Sequence, residues 1–131
     1  MATRIIVLFN LKPEVSTSDY EAWAKQTDLP TVNGLTSVAD FTVWKSTGLL
    51  GSEEKPPYQY IEILDVADMD QFGPDTATQA MTKIASEFQA MAADLSFIMT
   101  EKLGYSWDDL QAKPLLSLGP DADWDWARRS Q

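Results

Sequence analysis

The residues from Arg4 to Leu11 read Arg-Ile-Ile-Val-Leu-Phe-Asn-Leu, apolar at consecutive positions instead of alternating ones. Such a run of β-branched and large apolar side chains predicts a strand over residues 3 to 11, covered on both faces and central in its sheet. Lys12-Pro13 ends it. Beyond Ser16-Thr17-Ser18, Tyr20, Trp23, Ala24 and Thr27 recur at helical spacing, with Ser18 and Glu21 placed as a capping box. Pro30 disfavours helical geometry at Leu29 and Asn33-Gly34 supplies a turn, so the segment 28 to 34 is expected to break away from this helix. Residues 38 to 47 and 58 to 66 are rich in β-branched and aromatic side chains, and the polar, proline-bearing stretch 51 to 57 separates them as the loop of a long hairpin. A second helix follows Asp68, marked by Ala77, Ala80, Met81, Ile84, Phe88 and Met91, with Gly73-Pro74 splitting off a short first turn. Residues 96 to 103 predict the last strand.

The order is βαββαβ. It predicts an α+β fold of ferredoxin-like plan, an antiparallel sheet in which the first strand lies between the third and the fourth. Helices cover one face of such a sheet. Because the first strand is apolar on both faces and the hairpin does not alternate cleanly, the second face is expected to be buried as well, most simply in a homodimer. Residues 1 to 104 form this domain. The extension 105 to 131 carries Trp107, Leu115, Leu116, Trp124 and Trp126 and is expected to pack on its own or the partner subunit.

Composition narrows the function. The chain of 131 residues carries a net charge of -10, which opposes phosphate-backbone binding and argues against a nucleic-acid partner. No apolar run reaches the ~20 residues of a membrane span, and Ile5 to Phe9 is too short for a secretory core, so no membrane association and a cytoplasmic location are expected. With neither histidine nor cysteine, Ser-His-Asp and Cys-His nucleophilic sites and the usual zinc ligand sets are excluded. No Walker A, GxGxxG or nucleophile-elbow pattern is present. No metal site is indicated.

The candidate chemistry lies where polar residues interrupt the strands. Glu62, within Tyr58-Gln59-Tyr60-Ile61-Glu62-Ile63-Leu64, is the acidic residue expected in mid-strand; burial would raise its pKa and make it a general acid or base. Alternatively it pairs across the sheet with Lys45 or Arg4, because its face depends on the strand register. Asn10 ends the first strand beside the start of the third, near Tyr58 and Tyr60, where it either contacts a ligand or finishes the strand with a side-chain hydrogen bond. Trp44, Tyr20 and Trp23 are drawn toward the same end. We take Glu62, Asn10 and Tyr60 as candidate catalytic residues and Trp23, Trp44, Tyr58 and Tyr20 as candidate substrate walls, suited to a flat conjugated small molecule. Asp28, Asp40 and Asp65 rank lower, as residues at helix, turn or strand ends usually satisfy backbone donors.

The segments Arg4 to Pro13, Tyr20-Glu21-Ala22-Trp23-Ala24, Thr27 to Val32 and Thr47-Gly48-Leu49-Leu50-Gly51, with Tyr58 to Val66 and Phe88 to Leu103, resemble the RedY-like (HapK-type) family. The resemblance covers nearly all of residues 3 to 103 and leaves the extension outside. It implies a dimeric α+β barrel and a role in bacterial secondary metabolism, in pathways to prodigiosin-like pyrroles and bisindoles, where members steer or cyclise reactive aromatic intermediates. It implies no cofactor. The function expected is a cofactor-independent cyclase, the alternatives being a cofactor-independent aromatic monooxygenase or a non-catalytic protein that binds the intermediate.

Overall fold

The computed structural model describes residues 3–104. The expectation for the extension 105 to 131 lies outside the described residues. Four strands, β1 (Thr3–Leu11), β2 (Val38–Lys45), β3 (Tyr60–Val66) and β4 (Ala92–Thr100), form one antiparallel sheet in the order β2-β3-β1-β4. The first strand is therefore central, flanked by the third and fourth as its unbroken apolar run predicts. Its register places Val7 opposite Glu62 and Phe9 opposite Tyr60. On the other side it shifts between Leu8 and Asn10, beside Asp94, whose φ of 55° marks the irregularity in β4.

The helices among the described residues are α1 (Thr17–Trp23), α2 (Leu29–Asn33), α3 (Met69–Thr76) and α4 (Gln79–Met91). The core lies between them and one face of the sheet. Phe9 is its centre, with ring centroids 4.9 Å from Phe88, 5.5 Å from Tyr20 and 5.5 Å from Tyr60. Edge-to-face and offset contacts of this kind add to the stabilisation from burial itself.

Several boundaries differ from expectation for identifiable reasons. Ser16, not Ser18, caps α1, its hydroxyl accepting from the Asp19 amide at 3.1 Å. The chain does not break at residues 28 to 34. A π-helical turn (Ala24–Asp28) joins α1 to α2, and the Leu29 amide reaches back to the Ala24 carbonyl. Pro30 falls in the first turn of α2, where the wider preceding turn relieves the clash a proline ring makes in a regular helix. Asn33 then pins the helix end to β2, donating to and accepting from the Phe41 backbone at 3.0 Å each way. Gly73-Pro74 sits inside α3, and the break falls instead at Ala77 and Thr78, whose hydroxyl caps α4. The third strand begins at Tyr60 because the Asn10 side chain takes the Gln59 amide at 2.9 Å. The last strand starts at Ala92, directly after α4.

Among the described residues the other face of the sheet carries no helix. Ile6, Leu8, Ile61, Ile63, Ile98 and Trp44 line up on it by register. Trp44 remains 57% exposed and Ile98 43%.

Candidate functional site

Alternation along β3 settles the face of Glu62. Tyr60, Glu62 and Val66 are buried, so the carboxyl points with Tyr60 toward the helices and is only 6% exposed. Val7 and Val43 are its cross-strand neighbours. Neither cation considered from the sequence reaches it: Arg4 grips Asp65 with Nε at 2.7 Å and Nη2 at 3.2 Å, and Lys45 pairs with Glu21 at 3.0 Å. Glu62 Oε2 is buried without a hydrogen-bond partner among the described residues.

Asp28, at 4% exposure, is the second buried acid. Tyr20, Ala24, Asp28 and Val32 follow at steps of four and all are buried. In a regular α-helix a step of four overshoots a full turn, so such a stripe drifts around the axis. The wider π-helical turn counters the drift and keeps Asp28 on the inward side. In the sequence Asp28 reads as a helix-end residue of low rank, and its place in this stripe is the signal that marks it as buried.

Both carboxyls border one cavity of about 240 Å3 whose other walls are apolar, among them Val7, Phe41, Leu64, Phe72, Ile84 and Phe88. Burial pushes the Asp28 carboxyl up to about 7. Burial, and after it the charge of Asp28, pushes Glu62 up to about 8. Loss of hydration penalises the charged form, and a nearby like charge penalises a second ionisation. The Tyr20 hydroxyl works the other way on Glu62 without closing a regular hydrogen bond. Tyr20 is itself fully buried and its own ionisation is driven far up, first by burial and then by Glu62 and Asp28. Near neutral pH one carboxyl on this cavity can therefore be protonated while the other is charged, an acid and a base side by side in the same apolar surroundings.

The remaining candidate residues separate from this pair. Tyr20 and Tyr60, with ring centroids 4.7 Å apart, border a second cavity of about 210 Å3 together with Glu21 and Lys45. Tyr60 donates its hydroxyl proton to Glu21 Oε2 at 2.7 Å. Asn10, Tyr58 and Tyr60 do meet at a corner, a third cavity of about 480 Å3. There the Asn10 amide is engaged by the protein: Nδ2 donates to Pro57 O and Asp94 Oδ2, both at 3.1 Å, and Oδ1 accepts from the Gln59 amide. Trp23 packs on the outside of the aromatic core, 6.4 Å from Phe88, and donates to Glu87 at 3.2 Å. Trp44 lies on the open sheet face and donates to Thr42 at 2.8 Å. The structure thus gathers Glu62, Asp28 and Tyr20, with Trp23 against the Tyr20 ring at 6.1 Å between centroids, gathers Asn10, Tyr58 and Tyr60, and leaves Trp44 apart.

Among the described residues no three histidine, cysteine, aspartate or glutamate side chains cluster as metal ligands, and no helix is long and apolar enough to cross a membrane.

Comparison with known proteins matches residues 3–103 to the family described as REDY-like protein HapK. HapK from Hahella chejuensis is 27% identical, with 82% of this chain and 97% of that chain covered and a TM-score of 0.65. A dimeric ferredoxin-like protein of unknown function from Thermobifida fusca is 17% identical over 78% of this chain and 92% of its own, with a TM-score of 0.63. SnoaB, a cofactor-independent oxygenase from Streptomyces nogalater, is 12% identical over 79% and 95%, with a TM-score of 0.62. At those identities the last two establish the fold alone. The comparison with curated proteins finds no match.

Proposed function

This chain belongs to the REDY-like HapK family, and on that premise we propose that it acts in secondary-metabolite biosynthesis as a cofactor-independent cyclase or isomerase of a reactive indole- or pyrrole-derived intermediate. The observation that carries the reading is the buried pair Asp28 and Glu62 on an otherwise apolar cavity. A volume of about 240 Å3 falls below the ~300–1,000 Å3 of sites for drug-sized ligands. It suits one indole- or pyrrole-sized ring system. The apolar walls, Phe41, Phe72 and Phe88 among them, hold a flat ring and exclude water from it.

Near pH 7 Glu62, raised the further of the two, is the proton donor and Asp28 the acceptor. In a redox-neutral ring closure or tautomerisation, Asp28 takes a proton from a ring N–H or an acidified C–H while Glu62 protonates another atom of the same conjugated system. No electrons leave the substrate. The turnover ends with the proton on Asp28 and the charge on Glu62; Asp28 then gives up a proton to water and Glu62 takes one from it, which restores the starting state. Positioned acid and base groups of matched pKa contribute typically 10²–10⁴-fold each, and holding a reactive conformer away from water adds to it.

The same reading makes the protein a homodimer that closes the open sheet face. The apolar row Ile6, Leu8, Ile61, Ile63 and Ile98 supports it, since a two-sided apolar sheet is stable only when both faces are covered.

The test is product analysis by mass spectrometry, with purified protein added to reactive indole and pyrrole intermediates in air and without oxygen. The proposal expects a new isomer or dehydrated product in both atmospheres, lost in Glu62→Gln. A product formed only in air and labelled from oxygen gas would make the protein an oxygenase instead.

A further inference from the structure

The corner cavity of about 480 Å3 lies where β1 and β2 end and the loop of residues 46–59 enters β3. In a chain with 20 acidic and 10 basic residues, its wall carries Lys45 and Lys55 and, among the described residues, not one aspartate or glutamate. Thr17 and Ser46 add hydroxyls and Tyr58 a half-buried phenol ring, while Tyr60 is 2% exposed. We propose that this corner binds an aromatic carboxylate, the anionic group between Lys45 and Lys55 and the ring against Tyr58.

Three features support the chemistry. Lys45 is held in place by its contact with Glu21 Oε2, 3.0 Å away, and Glu21 is also fixed by the Tyr60 hydroxyl. An ammonium has three donors, so one bond to Glu21 leaves two for a ligand. Glu21 itself borders the neighbouring cavity and not this one. Asp94, which also approaches this corner, is turned to the Asn10 amide. An aromatic ring gains from the Tyr58 phenol, and a carboxylate recovers the solvation it loses through charge-assisted bonds to ammonium groups. Phosphodiesters fit less well, because the described cavity wall lacks arginine and the chain carries a net charge of -10. This site shares no lining residue with the Asp28–Glu62 cavity, so it stands or falls independently of the proposed proton transfer.

The experiment is an NMR titration of the 15N-labelled full chain with indole-3-acetate and, as its neutral match, indole-3-acetamide. Indole-3-acetate is expected to bind at least about tenfold more tightly, a difference of about 1.4 kcal/mol, with amide shifts centred on Ser46, Tyr58 and Gln59. Adding salt should weaken the acetate and leave the acetamide unchanged. Lys45→Met with Lys55→Met should bring the two affinities within about twofold, while Lys83→Met, on α4, keeps the preference. Should the double variant lose its native spectrum, Lys55→Met alone is expected to reduce the preference about threefold. Equal affinities in the unmodified chain, shifts centred elsewhere, no saturable shift for indole-3-acetate, or a preference that survives the lysine changes would each overturn the proposal.

Discussion

Asp28 borders the same apolar cavity as Glu62 and, when charged, helps to hold Glu62 in its acid form. One residue comes from the π-helical turn and the other from the middle of β3. Arg4 and Lys45 do not balance them, being paired with Asp65 and Glu21. The pair therefore costs stability when it ionises, and that cost is what matches it to acid–base work.

The first consequence is a stability that falls with rising pH. In the unfolded chain these groups titrate near ~4, whereas in the folded protein Asp28 and Glu62 are raised to about 7 and about 8. Between those limits the native state binds more protons, so stability is fully present below pH ~4 and lost as pH climbs through 8. Thermal unfolding should show a higher Tm at pH 5 than at pH 8.5. Glu62→Gln should remove about half of the slope, Asp28 keeping its own, and stabilise the protein at pH 8.5 by a few kcal/mol, since each tenfold change in proton affinity is worth about 1.4 kcal/mol. A Tm that rises over this interval in the unmodified protein would contradict the buried-acid assignment.

Catalysis should have a bell-shaped pH dependence. The rising, base limb should fall near 7 and the falling, acid limb near 8, macroscopic values that belong to the coupled Asp28–Glu62 pair. Glu62→Gln and Asp28→Asn should each lower kcat by roughly 10²–10⁴-fold, with binding of a product analogue changed by less than about tenfold. Asp28→Asn should also lower the pKa of Glu62, because the second cause of its elevation is gone. Infrared titration of the protonated carboxyl band measures this directly.

Tyr20→Phe separates the phenol from its ring. The ring packs on Phe9 and Tyr60, which phenylalanine retains, while the hydroxyl is buried without a partner among the described residues. Its removal relieves an unsatisfied group, so stability should stay within about 1 kcal/mol of the parent. The same hydroxyl tempers the elevation of Glu62, so the acid limb of the rate profile should move to higher pH. An unmoved limb would show that the phenol does not act on Glu62.

Much of this was legible in the chain, and the exceptions are physical. The apolar run of β1 reads as a central strand, and the βαββαβ order gives the arrangement β2-β3-β1-β4 that the sheet has. Glu62 stood out as a carboxylate in mid-strand, but its face was open, because Tyr58 to Leu64 is nearly apolar on both sides. Asp28 was hidden by a local rule. Pro30 argues for a break, and a π-helical turn that carries the helix past a proline leaves no mark in propensity. The tryptophans read as pocket walls in sequence because aromatic side chains suit flat ligands; in the fold Trp23 packs on the aromatic core and Trp44 lies on the open sheet face.

Asn10 is the clamp that starts β3. Its single amide closes the chain at Pro57, Gln59 and Asp94, and the Gln59 side chain returns a bond to the Leu11 amide at 2.6 Å. Asn10→Ala removes the three bonds of the Asn10 amide at once. Urea denaturation should register a loss of roughly 1–3 kcal/mol. Because the Asn10 amide is engaged by protein groups, the rate profile of the folded variant should keep its two limbs.

The open sheet face supplies the last prediction. Leu8 stands between Ile61 on β3 and Ser96 on β4, near the centre of an apolar row that includes Ile6, Ile63 and the exposed Ile98. If a second copy covers this face, placing a carboxylate there buries an unpaired charge at the interface, a penalty far larger than at an exposed site. Leu8→Asp should therefore convert a dimer to a monomer by sedimentation, weakening association by at least about 100-fold, or about 2.8 kcal/mol. Glu62→Gln, which changes the helix-covered face, should leave the mass unchanged. A protein that sediments as a monomer before any substitution would remove the dimer from the proposed function and leave the Asp28–Glu62 cavity, built within one chain, as it stands.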